Sequence, residues 1–83
     1  MFHLELSRKA GKELEKIPSQ QKEKITSKFI ALENNPYLGK KLDGEYENCR
    51  SVYVWPYRII YMILKDRLLV YVIKVGHRQG VYK

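Results

Sequence analysis

Two long apolar segments joined by a short charged turn limit the possible folds of this chain more than any other feature. The segments span residues 57–64 and 68–75, and Lys65-Asp66-Arg67 separates them. Both are rich in β-branched and aromatic residues, which predicts two antiparallel strands of a hairpin. Apolar side chains occupy both faces of the first strand, as they do in central strands buried on both sides. We therefore expect a sheet built around this hairpin.

Two further strands and a loop are predicted around the hairpin. Alternation of apolar and polar residues over residues 2–6 is typical of a half-buried strand. Residues 51–55 form another candidate strand, which ends at Pro56. Residues 36–48 are rich in turn-forming residues and predict a loop. Gly76 is expected to end the last strand, and residues 77–82 are expected to follow as a short tail.

The segment between the first strand and the loop predicts two helices. Ser7 is a candidate N-cap of the first helix, which Pro18 is expected to end, and Ser19 is a candidate N-cap of the second. Asn34-Asn35-Pro36 is expected to stop the second helix. Apolar residues recur at helical spacing in both: Ala10, Leu14 and Ile17 in the first, then Ile25, Phe29 and Leu32 in the second.

These elements, in the order β-α-α-β-β-β, predict one small α+β domain over residues 1–83. Its sheet is expected to be mostly antiparallel and to pack against the N-terminal helical hairpin. Two short helices can cover only one face of the sheet. The loop, a partner chain or a substrate must therefore cover part of the other face.

The composition favours an intracellular protein with a polyanionic partner. No apolar run reaches the roughly 18 residues of a membrane span, no signal-peptide stretch opens the chain, and the single cysteine, Cys49, fits a reducing cytoplasm. The net charge is +7. Residues 1–47 have nine Lys/Arg against eight Asp/Glu, whereas residues 48–83 have seven against one. A basic, tyrosine-rich second half points first to nucleic acid. Lys40 and Lys41 lie among acidic residues and are interpreted as part of a solvated loop.

The residues available for chemistry are cations and phenols. Clustered carboxylates, histidines or cysteines for a metal are missing from the sequence pattern, so we expect no metal and no cofactor. Arg58 opens one strand of the hairpin and Arg78 follows the other, which places them at the same end of the sheet. His77 and Tyr82 flank Arg78, and Arg50 precedes the strand before. Trp55, Tyr57 and Tyr61 are expected to pack.

Three segments carry a resemblance to a known family. Tyr57-Arg58-Ile59-Ile60-Tyr61, Val75-Gly76-His77-Arg78 and Val81-Tyr82 resemble the hallmark of RelE-type toxins, within the RelE/ParE superfamily. The order of elements fits the same fold. The resemblance implies a toxin of a type II toxin–antitoxin system that cuts mRNA in the ribosomal decoding site and is held inactive by a cognate antitoxin.

The resemblance also implies residue roles. Arg58 takes the place of the arginine that holds the scissile phosphate, and Arg78 that of the arginine that stabilises the transition state. Tyr82 takes the place of the C-terminal tyrosine, an acid/base or stacking residue. The family often has further Lys or Arg on the preceding strand, where this chain has Ser51 and Tyr53.

The chemistry expected of such a site is attack by the RNA 2′-OH on the adjacent phosphorus, because that nucleophile is already held beside its target. His77 is the best intrinsic acid/base, since imidazole titrates near neutral pH. Arg50, Tyr53 and Lys74 are predicted to contact RNA. Two alternatives remain open: a ParE-like toxin that inhibits DNA gyrase without cutting RNA, and a plain RNA- or protein-binding module.

Overall fold

The computed structural model describes residues 1–77, in which two helices pack on one face of a five-stranded sheet. The helices are α1 (Arg8–Glu15) and α2 (Ser19–Asn34). The strands are β1 (His3–Leu6), β2 (Lys40–Lys41), β3 (Cys49–Val54), β4 (Tyr57–Leu64) and β5 (Leu69–His77). They lie in the order β1-β5-β4-β3-β2, with β1 parallel to β5 and all other pairs antiparallel. The predicted α+β fold is confirmed, with β2 as an additional strand inside the predicted loop.

One of the two predicted helix caps is confirmed. The Ser7 hydroxyl accepts a hydrogen bond from the Ala10 amide (3.0 Å) and donates one to the Ile73 carbonyl (2.8 Å), so it caps α1 and ties it to β5. The prediction for Ser19 is wrong, because Ser19 is the first residue of α2 and Pro18 is its N-cap. The Pro18 carbonyl accepts the first helical bond, from the Lys22 amide. Ile17 is buried just before this turn, so packing sets where α2 begins.

The sheet has a core on each face, and the two differ in size. The main core lies between the helices and the sheet; it contains the predicted helix residues Ala10, Ile17, Ile25, Phe29 and Leu32 and the strand residues Val54, Ile59, Tyr61, Val70, Val72 and Val75. The smaller core on the opposite face, which we call the second face, centres on Cys49 and Ile60, with Leu42, Tyr46, Met62 and Ile73 packed against them. The loop therefore covers part of the second face.

A β-bulge in β5 decides which of its side chains lie on the second face. Ile60 pairs with Lys74 but Tyr61 pairs with Val72, so Ile73 is the extra residue. Ile73 packs in the smaller core, whereas Val75 packs in the main core. Lys74, opposite Ile60, therefore lies on the second face, because directly paired residues of neighbouring strands share a face.

The ends of β5 differ from the prediction. The strand begins at Leu69 because Leu68 adopts the left-handed conformation (φ 50°, ψ 45°). Gly76 does not end it: Gly76 pairs with Arg58 and the ladder continues to His77. Pairing with β4 thus outweighs the weak intrinsic strand preference of glycine. Within residues 1–77, neither helix is long and apolar enough to cross a membrane.

Candidate nucleic-acid interface

Arg58 is held in a fixed orientation on the second face. Its neighbours along β4, Tyr57 and Ile59, pack in the main core, so alternation directs Arg58 to the opposite side. Tyr53 of β3 pairs with it directly. The Arg58 guanidinium donates a hydrogen bond to the Tyr53 hydroxyl and lies 4.2 Å from the centroid of the Tyr53 ring. Tyr53 is itself 50% exposed, so this paired cation and phenol lie at an accessible surface.

The strand on the other side of Arg58 adds no side chain opposite it. Arg58 pairs with Gly76 of β5, and glycine has no side chain to cover its neighbour. The Tyr53 ring therefore braces the guanidinium on one flank, and the residue paired with Arg58 on the other flank is a glycine. A planar guanidinium can bind a phosphate group through two parallel hydrogen bonds.

A groove of about 500 Å³ extends from Arg58 across the sheet towards β2. It is lined by Leu38, Lys40, Lys41, Leu42, Ser51, Val52, Tyr53 and Arg58. Lys40 pairs with Ser51, Ser51 with Ile60, and Ile60 with Lys74. The second face therefore presents three cations, Lys40, Arg58 and Lys74, together with the Tyr53 phenol. Such a surface can bind a phosphodiester chain.

Lys40 is the residue that the sequence interpretation missed. The sequence pattern predicts a solvated loop here, and Lys40 is exposed, but it belongs to a strand and shares a face with Arg58. A two-residue strand is too short to show alternation. Only its pairing with β3 reveals which way Lys40 points.

Arg50 is not brought together with Arg58. It pairs with Tyr61, a main-core residue, so it lies on the helix side of the sheet and near the opposite end of β3. Its guanidinium donates to the Gly39 carbonyl (2.8 Å) and lies 5.0 Å from the centroid of the Tyr37 ring. Through these contacts Arg50 stabilises the segment before β2. Its contact with RNA stays a prediction.

His77 also lies on the helix side of the sheet. It pairs with Tyr57, and the two rings meet edge to face with centroids 5.8 Å apart. Tyr57 packs against the main core, so the structure does not place His77 beside Arg58. Its acid/base role stays a prediction. The other two residues expected at this site, Arg78 and Tyr82, lie outside the described residues.

The aromatic residues divide between core and surface. Tyr61 is fully buried and Tyr57 packs against the main core, as predicted. Trp55 is 66% exposed, so the expectation that it packs is wrong. It lies in the turn between β3 and β4, at the same end of the sheet as Arg58. A turn at the end of a hairpin projects beyond the core, and the sequence alone did not show this.

The remaining titratable groups offer little alternative chemistry. Burial raises the pKa of the Cys49 thiol, which keeps it protonated and a poor nucleophile at neutral pH. Within residues 1–77, no three His, Cys, Asp or Glu residues are grouped so that they could hold a metal ion. The cationic second face is therefore the best-supported functional site in the part of the chain that the structure describes.

Comparison with known proteins shows which family the chain resembles. The family model described as the ParE toxin of type II toxin–antitoxin systems matches residues 4–82. A Methanocaldococcus jannaschii protein described as the candidate toxin RelE1 is 28% identical over 87 residues, covering 99% of this chain and 96% of that protein.

Solved structures show the same fold. The Escherichia coli RelBE toxin–antitoxin complex contains a chain that is 26% identical, with a TM-score of 0.82, covering 93% of this chain and 96% of that one. The RelBE2 toxin–antitoxin complex from Mycobacterium tuberculosis contains a chain that matches with a TM-score of 0.86 over 93% of this chain and 98% of that one. At 24% identity, the second likeness concerns the fold alone.

Proposed function

This chain belongs to the ParE toxin family of type II toxin–antitoxin systems, and we propose that it arrests growth by cutting mRNA in the decoding site of the ribosome. The observation that carries the proposal is the geometry of Arg58, a permanently charged guanidinium braced by Tyr53 on an accessible cationic face. That arrangement suits a phosphate at which charge develops during reaction. The proposed site of action is the cytoplasm.

The proposed reaction is an internal transesterification of RNA. The 2′-oxygen attacks the adjacent phosphorus while its proton passes to a base. The bond from phosphorus to the 5′-oxygen breaks, and that oxygen takes up a proton, leaving a 2′,3′-cyclic phosphate and a 5′-hydroxyl. No metal is needed, because the RNA positions its own nucleophile. DNA lacks the 2′-OH and is not a substrate.

The residues divide into those that bind charge and those that move protons. Arg58 binds the scissile phosphate, and Arg78 stabilises the negative charge of the transition state. An arginine stays protonated, so neither serves as the base. Tyr82 and His77 are the proposed proton-transfer residues. Tyr53 holds Arg58, and Lys74 adds positive charge to the same face.

The proposal includes a cognate antitoxin. Several similar chains were solved as toxin–antitoxin complexes, and this chain shares their fold. A toxin of this kind must be neutralised in its own cell until it is needed. We expect the partner to be a small acidic protein, since the toxin has a net charge of +7.

Mapping RNA ends after expression tests the proposal. Wild-type protein should give new 5′-hydroxyl ends within translated mRNA, and it should cut mRNA on programmed ribosomes. Arg58→Ala should slow cleavage by roughly 10²–10³-fold, as for loss of one transition-state donor. The matched control is Arg67→Ala, an exposed arginine in the turn at the other end of β4. Mapping that finds mRNA intact during growth arrest overturns the proposal.

A second candidate function is inhibition of DNA gyrase. The observation that favours it is the description of the matching family model as the ParE toxin. This alternative predicts growth arrest with intact mRNA and blocked supercoiling. Arg58→Ala would then leave toxicity largely unchanged, so the same variant separates the two functions.

A further inference from the structure

The two-residue strand β2 is anchored far more firmly than its length suggests. The amide of Gly39, just before it, donates to the Tyr61 hydroxyl (2.9 Å), and the Gly39 carbonyl accepts from Arg50 (2.8 Å). The Tyr61 hydroxyl in turn donates to the Pro36 carbonyl (2.6 Å). Since Tyr61 is fully buried in the main core, the start of β2 is fixed to the centre of the molecule.

Glycine is required at this anchor because the backbone approaches so closely. A Cβ atom at position 39 would lie 2.6 Å from the Tyr61 hydroxyl and 2.7 Å from the Ser51 carbonyl oxygen. Both distances are far inside van der Waals contact, and one of the two neighbours is backbone. The sequence thus places a glycine where the chain must lie directly against β3 before Lys40 begins its strand.

The anchor determines which side of the sheet each lysine of β2 occupies. Lys40 pairs with Ser51 and so lies on the second face, in the groove with Arg58. Lys41 also borders this groove, but it pairs with Arg50, so its side chain leaves the strand on the helix side. Both lysines are exposed and carry the same charge, but their side chains lie on opposite faces of the sheet.

The separation of Lys40 and Arg58 suits two phosphates of one RNA strand. They lie two strand spacings apart, about 10 Å, and are offset by two residues, about 7 Å, so their Cα atoms are about 12 Å apart. Both have long side chains, so their charged ends can reach phosphates one or two nucleotides apart. Lys40 lies beside Ser51 on the second face, to which β3 itself contributes no cation.

We propose that Lys40 binds an mRNA phosphate flanking the one held by Arg58, and that the Gly39–Tyr61–Arg50 anchor holds Lys40 in position to do so. This inference rests on the proposed ribonuclease function. Lys40 binds the RNA strand and takes no part in the chemical step, which the other residues carry out. A loss of Lys40 should therefore raise KM and leave kcat nearly unchanged.

Cleavage of mRNA on programmed ribosomes by four proteins tests the role of Lys40: wild type, Lys40→Ala, Lys40→Arg and Lys41→Ala. Lys40→Ala should raise KM by about fivefold near 0.1 M salt, the effect of one lost phosphate contact. Lys40→Arg should restore most of this loss. Lys41→Ala should raise KM clearly less than Lys40→Ala does, because the Lys41 side chain leaves the strand on the helix side. All four should unfold at similar temperatures, since both lysines are exposed. Equal kinetics for Lys40→Ala and Lys41→Ala overturn the proposal.

Neutral phosphate replacements separate mRNA from ribosomal RNA as the source of the phosphate. A methylphosphonate replaces one phosphate at a time. The positions tested are the two phosphates before the cleavage site and the two after it. At one position it should raise KM for the wild type but not for Lys40→Ala. If every position affects both proteins equally, Lys40 does not bind the mRNA strand. A wild-type protein that cuts no mRNA refutes the proposed function itself, an outcome distinct from failure of the Lys40 assignment.

Discussion

Tyr53 and Arg58 form a pair in which the tyrosine orients the cation. The contact has two parts, a hydrogen bond from the guanidinium to the hydroxyl and stacking over the ring. Because guanidinium groups bind phosphate through a planar fork, rotation of that fork changes how well the phosphate is held. The identity of residue 53 therefore bears on catalysis even though the tyrosine need not touch the reacting atoms.

Tyr53→Phe separates the two parts of this contact. It keeps the stacking and removes the hydrogen bond, so we expect kcat/KM for RNA cleavage to fall by roughly 2–10-fold, while Tyr53→Ala should cost more. Cleavage kinetics on programmed ribosomes provide the measurement, with Tyr37→Phe as the control. Equal rates for Tyr53→Phe and Tyr53→Ala would show that the hydrogen bond, and not the stacking, holds the guanidinium.

Tyr61 is a buried residue whose hydroxyl serves the fold. Its loss in Tyr61→Phe leaves the Gly39 amide and the Pro36 carbonyl without this partner. We expect the free energy of unfolding to fall by about 1–3 kcal/mol at neutral pH. Urea denaturation measures this, and an unchanged midpoint would contradict the anchoring described for β2.

The buried hydroxyl of Tyr61 also predicts how the free energy of unfolding changes at alkaline pH. Burial raises the pKa of Tyr61 above its ordinary value of 10.0, while the Gly39 hydrogen bond and the nearby Arg50 charge oppose that rise. The neutral phenol is thus favoured in the folded state. Its contribution is fully present below pH 10 and is lost as pH rises through the folded pKa. Tyr61→Phe should lose less stability than the wild type over that range, as measured by urea denaturation at several alkaline pH values.

At the scale of elements, side chains of the helices protect strand edges that lack a neighbour. The Val75 amide, beyond the end of β1 pairing, donates to the Glu13 carboxylate of α1 (2.8 Å). The Leu4 amide on the outer edge of β1 donates to the Glu33 carboxylate of α2 (3.0 Å). Unpaired backbone groups at a sheet edge can pair with a strand of another chain. By binding two of these amides, the glutamates reduce edge-to-edge association through β1 and β5.

The turn before β5 contains a strained residue. Leu68 has φ 50° and is 53% exposed, so it combines an unfavourable backbone conformation with little packing. Asparagine tolerates this conformation better than leucine. Leu68→Asn should therefore stabilise the protein by about 0.5–1 kcal/mol, seen as a higher melting temperature. Leu69→Asn is the contrasting variant, because Leu69 is buried and its replacement should destabilise the fold. A lower melting temperature for Leu68→Asn would contradict the account of the turn.

At the scale of the whole molecule, the net charge and the exposed apolar side chains both favour binding to a partner. The chain has a net charge of +7, and several large apolar side chains on the sheet side and its turns are about half exposed or more: Leu38, Tyr53, Trp55 and Leu68. Such surfaces are typical of proteins that function in complexes.

Co-expression with the small acidic protein expected from the neighbouring reading frame tests the partner prediction. The complex should purify as one species, relieve growth arrest, and melt at a higher temperature than the toxin alone. A ligand at 100 times its Kd adds about 2.7 kcal/mol of stability. An unrelated acidic protein of similar size serves as the control. Persistent arrest with the neighbouring protein, or equal protection by the control, would contradict a specific antitoxin.

Much of the fold was determined by local signals in the sequence. The strand at residues 57–64, the Ser7 cap and the buried helix positions Ile25, Phe29 and Leu32 are confirmed. Each rests on a short-range pattern, such as periodicity or a capping residue, that operates within a few residues of itself. The family and its Tyr-Arg motif were likewise visible in the chain.

The tertiary structure alone decided which side chains share a face. Lys40 joined Arg58, whereas Arg50 and His77 were turned to the helix side. These outcomes depend on strand pairing and on the bulge at Ile73, which brings Lys74 to the second face. A shift of one residue in pairing reverses every side chain of a strand. Pairing is set by contacts between distant segments, so no local pattern could have fixed it.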